Sequence, residues 1–485
     1  MSDAILNSSL RGAPIHLTGI KGTGMAALAE LLHKRGAVVT GSDTHEKFYT
    51  DEVLTRLGIP YVEEFSAENI HAGLKMVVYS AAYDPLVNPE LVKARELGIP
   101  VIVYPEALGL LSLGCDSSAV AGVHGKTTTT ALIGAILKRL DFPASILAGS
   151  AVSSFDGTST AVLGDEYFIA ETCEYRRHFL HFHPRRIILT SVEADHLDYF
   201  KGYDDVRNAF LTFCGRLPPD GALIYCADDP GASEVANAVR AQGNRAELVP
   251  YGRSAEGRFA IDSVELHPGA TSFRLRGMAG RALSLRIPGN HTVLNAAAAV
   301  ALVSLLFEDK YGHTMSDGEL DRVAAGLAEF AGSKRRSEIV GEAGGVLFID
   351  DYGHHPTAIR TTLAGLRAFY PHRRIILDFM SHTYSRTEAL IDEFAVCFSD
   401  ADMVILHKIY ASAREKSGTV TGRDLFRRVA ENHRAVHYFE EVEDAVPFCE
   451  QTLRPGDLFV TMGAGNNWVL GRRLFERRIA AGSPA

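Results

Sequence analysis

Short apolar runs alternate with segments of helical spacing in three successive blocks of the chain. In the first, residues 15–18 read as a strand, 25–35 as a helix closed by Gly36, and 37–40 as the next strand. Further strands are expected at 75–80 and 99–103. The second block repeats the pattern with a strand at 119–121, a loop at 122–127 and a helix at 128–140. Strands at 167–170, 187–190 and 222–225 follow, and 259–265 with 271–275 alternate like an antiparallel pair. The most apolar run, 293–307, predicts a buried helix over 292–307. The third block starts around 332–336, with strands expected at 346–350, 374–378, 403–407 and 458–462. Strands alternating with helices predict an α/β fold with mostly parallel sheets.

Length agrees with three blocks. At roughly 150 residues per domain, 485 residues make about three domains, expected at 1–113, 114–332 and 333–485. An apolar share of 46% and a charged share of 22% exclude collagen-like and mostly disordered classes. Lys and Arg total 49 against 59 Asp and Glu, a net charge of −10 that argues against nucleic-acid binding. The six cysteines (115, 173, 214, 226, 397 and 449) form no CxxC pair and are expected as reduced, mostly buried thiols. The opening MSDAILNSSLRG lacks the basic and apolar regions of a secretory signal, and 293–307 is too short to span a bilayer. A cytoplasmic setting with no membrane association is expected.

The strongest chemical signal is Gly122-Val123-His124-Gly125-Lys126-Thr127-Thr128-Thr129, between a strand and a helix. Backbone N–H groups of such a loop and the positive helix end hold polyphosphate, Lys126 meets the β/γ-phosphates and Thr127 reaches Mg2+. The common pattern also asks for glycine at 120, where this chain has Val120. A second turn, Gly19-Ile20-Lys21-Gly22-Thr23-Gly24, can hold a pyrophosphate, with Ser42 or Asp43 near a ribose or uracil. Glu171-Thr172-Cys173-Glu174 and Glu193-Ala194-Asp195-His196-Leu197-Asp198 follow strands beside the first loop, where Mg2+ ligands belong. His178, His181 and His183 lack a second cluster with metal-ligand spacing and read as surface histidines. Asp350-Asp351-Tyr352-Gly353-His354-His355-Pro356 and the loop 378–387 sit at carboxyl ends of strands, where substrates bind, whereas the turn 461–467 reads as structural.

GIKGTGM, GVHGKTTTT, ETCEY, SVEADHLDY, PGNHTVLNAAAA, SKRR, DDYGHHPT and HTYSRT, in this order, resemble the Mur ligase family of peptidoglycan assembly. The resemblance implies a Rossmann-like amino-terminal domain for a UDP-sugar, a central P-loop-type ATPase domain and a Rossmann-like carboxyl-terminal domain for an amino acid. It implies that Gly22, Thr23, Gly24, Ser42, Asp43 and Ser80 line the UDP site. Gly122, His124, Gly125, Lys126, Thr127, Thr128, His291, Asn295, Arg335 and Asp351 are implied at ATP. Thr127, Glu171 and His196 are implied at Mg2+, and Tyr352, His354, His382 and Arg386 at the amino acid. Lys126, Glu171, His196, His354 and Arg386 would carry the catalysis.

DDYGHHPT and HTYSRT imply that the substrates are UDP-N-acetylmuramate and L-alanine, in a monomer or homodimer. Some positions depart from the family pattern: Cys173 for Asp, Thr292 for Asn, Thr383 for a basic residue, Ala358 for Glu and Asn466 for Asp. HHPTAI is instead similar to murein peptide ligases, so addition of a recycled tripeptide to the same sugar stays open as the alternative. A dinucleotide-dependent oxidoreductase would leave GVHGKTTTT unexplained, and a non-catalytic nucleotide-binding regulator would keep the fold without releasing ADP.

Overall fold

Three α/β units follow one another in the computed structural model, which describes residues 10–48, 50–197, 199–267, 269–411 and 418–482. Residues 1–9, within the segment read for a secretory signal, and Asp198 of the EADHLD motif lie outside these. The first sheet is parallel, in the order Tyr61–Val62, Val38–Ser42, Pro14–Thr18, Met76–Tyr79, Val101–Val103. Its strand order reverses beside Pro14–Thr18, which opens a crevice at the carboxyl ends of Pro14–Thr18 and Met76–Tyr79.

The second sheet orders Glu247–Tyr251, Ala222–Cys226, Arg186–Leu189, Asp116–Ala121, Tyr167–Glu171, Ala144–Val152 and Thr158–Val162. Only its last pair is antiparallel. The antiparallel pair expected near 259–275 forms as Ile261–His267 with Ala270–Leu275, extended by Leu283–Leu285. The third sheet orders Glu338–Ala343, Val346–Asp351, Asp457–Met462, Arg374–Phe379, Met403–Leu406 and Val436–Tyr438, parallel apart from its first pair.

Most strands without a sequence expectation share one physical reason, the inner strand Ala144–Val152 aside. Tyr61–Val62, Glu247–Tyr251, Thr158–Val162, Glu338–Ala343 and Val436–Tyr438 are outer strands, where one side needs no apolar neighbour. Glu247–Tyr251 even carries Pro250, which an edge tolerates. The apolar run at 293–307 lies inside the longer helix Asn290–Tyr311, whose 291–311 window has the length and composition of a membrane span. In this fold 83% of its 18-residue apolar stretch is buried. All six cysteines are free thiols; four are buried, Cys115 is half-buried and Cys173 is exposed.

One apolar core runs without a break from the first unit into the central one, joining Leu17, Leu28 and Leu108 to Ala119, Leu189 and Phe210. Helix Thr23–Lys34 reinforces the joint through polar groups. The buried Glu30 accepts the Ser159 N–H at 3.1 Å, and Lys34 donates to the Thr160 carbonyl at 3.0 Å. The third unit has cores of its own, built from residues 343–474. It approaches the central unit closely at one pair of glycines. A Cβ on Gly365 of helix Pro356–Phe369 would lie 2.6 Å from the Gly289 Cα.

Candidate active site

The buried strand Asp116–Ala121 delivers the chain to Gly122, whose φ of +130° favours glycine. A Cβ there would sit 2.1 Å from Thr190 Oγ1, so the turn starts at Gly122. Val120 is still strand, paired with Glu171 and Ile188, which explains why no glycine is needed at 120. Helix Lys126–Leu140 then starts with Thr127 buried and Thr128 on the cavity wall. Lys126 Nζ donates to the Gly122 carbonyl and to Glu174 Oε2, the latter at 3.0 Å. Burial works against the Lys126 charge, but Glu174, with Cys173 and Glu171, raises its pKa overall. Burial likewise opposes the Glu174 charge, and Lys126 and His196 hold its carboxyl below the usual range.

Around this loop stand residues from four further strand ends and one helix. Glu171 Oε2 accepts the Gly149 N–H at 2.7 Å, and His196 Nε2 lies 3.4 Å from Glu174 Oε1. Asn295 places Oδ1 where a Cβ on Gly125 would stand, 2.4 Å away. His291 is kept neutral chiefly by burial, and its Nδ1 has no hydrogen-bond partner among the described residues. Among the described residues two clusters could hold a metal ion: Cys173, Glu174 and His196, and His124, Glu193 and His355. Neither includes His178, His181 or His183.

The third unit contributes its loops from above. Asp351 accepts from the Ser337 and Gly353 N–H groups at 2.6 and 2.7 Å. Tyr352 lies under the guanidinium groups of both Arg335 and Arg336, each 5.2 Å from its ring centre. Arg335 itself donates to Asp350 Oδ2 at 2.9 Å and the Gly463 carbonyl at 2.7 Å, and of this arginine pair it is Arg336 that lines the cavity. Burial raises the Asp350 carboxyl to about 6 against the pull of Arg335.

His354 donates Nδ1–H to the Tyr352 carbonyl at 2.9 Å, which leaves Nε2 as the basic nitrogen. Burial first, then Arg386, pushes its pKa well below the ordinary imidazole value. Asp195 is held well below the usual carboxylate range, because Arg386 outweighs the cost of burial. The non-glycine residues His196, Arg335, Ser337 and Thr383 take positive φ of 51°, 58°, 47° and 67°. Strain of this kind concentrates where the surroundings over-determine a functional geometry.

A cavity of about 960 Å³ joins these parts, lined by residues from His124 to Thr128, Glu171, Glu174, His196, His291, Asn295, Asp351 to His355, His382 and Arg386. The three sequence profiles of one family match in order along the chain. The Mur ligase family catalytic domain matches residues 14–114, the Mur ligase middle domain 120–303, and the Mur ligase glutamate ligase domain 335–465. The chain is a Mur ligase. The UDP-N-acetylmuramate–L-alanine ligase of Treponema pallidum (strain Nichols) is 51% identical over 477 residues, covering 98% of this chain and 99% of that one. The solved UDP-N-acetylmuramate–alanine ligase of Thermotoga maritima superposes with a TM-score of 0.78 at 25% identity, covering 96% and 99% of the two chains. A murein peptide ligase of Psychrobacter arcticus shares the fold, with a TM-score of 0.67 at 23% identity over 98% and 100%.

In this Mur ligase the six residues expected at the UDP-sugar gather at the crevice of the first sheet, apart from the main cavity. Among the described residues of that unit, Ala82 alone lines the cavity. Gly22, Thr23 and Gly24 start helix Thr23–Lys34, and Ser80 follows strand Met76–Tyr79. Ser42 donates to the buried Glu90 at 2.6 Å, while Asp43 accepts the Lys21 N–H at 2.7 Å and the Tyr83 hydroxyl at 3.0 Å. Asn467 is buried and donates to Asp378 Oδ2 at 2.8 Å, as expected of a structural turn.

Among the residues that depart from the family pattern, Thr292, Ala358 and Thr383 line the cavity. Residues without an assigned role in the sequence also stand there: Glu174, Glu193, Asp195, Arg336 and His355. All of them lie inside motifs already quoted, Arg336 as the neighbour of Arg335 in SKRR. Which of two adjacent polar residues faces the cavity is not readable from residue type.

Proposed function

We propose that this Mur ligase joins L-alanine to the carboxylate of UDP-N-acetylmuramate at the expense of ATP, through an acyl phosphate. The observation that carries the reading is the single cavity shared by the Lys126 loop and the Tyr352, His354, His382 and Arg386 loops. Kinship with the alanine ligase of Treponema pallidum supports alanine as the amine. Residues 1–113 would hold the UDP-sugar at Gly22 to Gly24, Ser42, Asp43 and Ser80. Residues 114–332 would hold ATP at Gly122, His124 to Thr128, His291 and Asn295, with Arg335 and Asp351 reaching it from 333–485.

The sugar carboxylate attacks the γ-phosphorus and the bond to the ADP oxygen breaks, which gives an acyl phosphate. The amine then attacks the acyl carbonyl, phosphate leaves with the C–O bond electrons, and the ammonium proton passes to a base. Nε2 of His354 is the base the geometry offers, since Nδ1 is committed to a carbonyl and the ring is neutral. Two anions must meet in the first step, and Lys126 with the helix end offsets their repulsion.

Thr127 and Glu171, with the buried Glu174, offer the hydroxyl and carboxylate oxygens that suit Mg2+, and His196 stands beside Glu174. When bound there, Mg2+ would supply charge neutralisation at the phosphates.

The deciding measurement is ADP release with UDP-N-acetylmuramate plus L-alanine, glycine, L-serine or the recycled tripeptide. Turnover with L-alanine is expected. Turnover with the tripeptide alone would replace this reading by that of a peptide-adding ligase.

A further inference from the structure

Asp195 and Arg386 are 191 residues apart in the chain, yet they form an ion pair across the boundary between the central and third units. Asp195 lies in the loop that follows strand Arg186–Leu189 and is 6% exposed; Arg386 lies on the third unit's helix Tyr384–Ala389 and is 9% exposed. One oxygen does most of the work. Asp195 Oδ1 accepts Nε–H and Nη2–H of Arg386 at 3.2 and 2.8 Å, and also the backbone N–H of His196 at 2.6 Å. The guanidinium is therefore gripped along one edge. Its remaining nitrogen, Nη1, is turned toward His382, 3.5 Å from the His382 carbonyl.

Among the described residues no apolar core crosses this boundary, so polar contacts carry much of its register. Nearby, Thr357 Oγ1 donates to Glu193 Oε2 at 3.2 Å, and at the joint itself the Lys334 N–H donates to the Ala151 carbonyl at 2.7 Å. A charged pair with two hydrogen bonds, screened from water, is the most directional of these contacts.

We infer that Asp195 is the positioning residue for the amine-transfer step. It holds Arg386 against the loop that carries His196, so the third unit's amine-side groups are in place only when that unit is seated on the nucleotide site. The inference rests on the proposed placement of Arg386 at the incoming amino acid and the reacting carboxylate.

A double-mutant cycle tests it, with Asp195→Asn, Arg386→Gln and both together. It is read by ADP release with L-alanine and by the rapid-quench ADP burst without amine. Asp195→Asn is expected to lower kcat about tenfold or more, to leave the KM for ATP within about twofold, and to keep the amine-free burst. In the Arg386→Gln background it should cause little further loss, because its effect passes through that arginine.

Additive losses, or a loss of the burst equal to the loss of kcat, would overturn the inference. Asp195→Glu and Arg386→Lys provide the conservative comparison: Glu should recover part of the activity if charge and reach matter, and thermal melting identifies any variant that fails to fold. A wild-type enzyme active with a different amine would overturn only the substrate assignment, and the cycle would then be read with that amine.

Discussion

Glu174 holds its Oε2 3.0 Å from Nζ of Lys126, a buried carboxylate on the lysine of the phosphate-binding loop. The side chains are 2% and 12% exposed, so neither charge is well solvated. Removing one partner of such a pair costs roughly 3–5 kcal/mol, because the other charge is left buried. Glu174→Gln is therefore expected to lower the calorimetric melting temperature of the central unit, and Glu174→Gln with Lys126→Met to recover part of the loss. A Glu174→Gln melt matching wild type would show that the pair has no structural weight.

Lys126→Ala tests the nucleotide side alone. ADP release is expected to fall by about a thousandfold or more, while calorimetric binding of the UDP-sugar stays near wild type. The reason is spatial: the crevice of the first sheet holds the residues expected at that sugar, and Lys126 belongs to the separate large cavity.

The acidic limb of the rate profile reports His354. Its pKa lies well below the ordinary imidazole value of about 6.5, so the limb of amine transfer should lie on the acid side of that pH. Arg386 contributes to the depression, and Arg386→Gln should move the limb toward neutrality. The sign for stability follows from the same shift. The unfolded chain takes up the proton first, so the His354 contribution is present above about pH 6.5 and is lost as pH falls toward the folded-state value. A melting temperature unchanged from pH 7 to well below 6 in wild type, with His354→Asn identical, would contradict this.

Gly365 lies where its helix meets Gly289, and a side chain there has no room. Gly365→Val is expected to lower kcat at least about tenfold while the far-ultraviolet circular dichroism is unchanged. The expectation is specific to this contact. Gly243→Val, at a turn where nothing lies within 4 Å, controls for loss of glycine alone, although its positive φ adds local strain.

Local grammar carried much of the fold. The strands at 15–18, 187–190 and 458–462 were legible because buried parallel strands read as short, mostly apolar runs. The edge strands Tyr61–Val62 and Val436–Tyr438 were not, since half-exposed edges have no such signature. The phosphate loop was legible because its chemistry depends on consecutive residues. Glu174, Asp195 and His355 stood in the quoted motifs without roles, because a carboxylate after a strand looks the same whether it meets solvent, a lysine or another domain.

The sequence by itself determined the three-block α/β order, the phosphate loop and the resemblance to one family. All of these are written in neighbouring residues and their spacing. The tertiary structure decided how the blocks act on one another. It joined the first two through a continuous core, left the third on its own cores, and tied it down through Asp195 and Arg386. Such pairings depend on where the turns aim side chains nearly two hundred positions apart, and spacing along the chain carries no record of that.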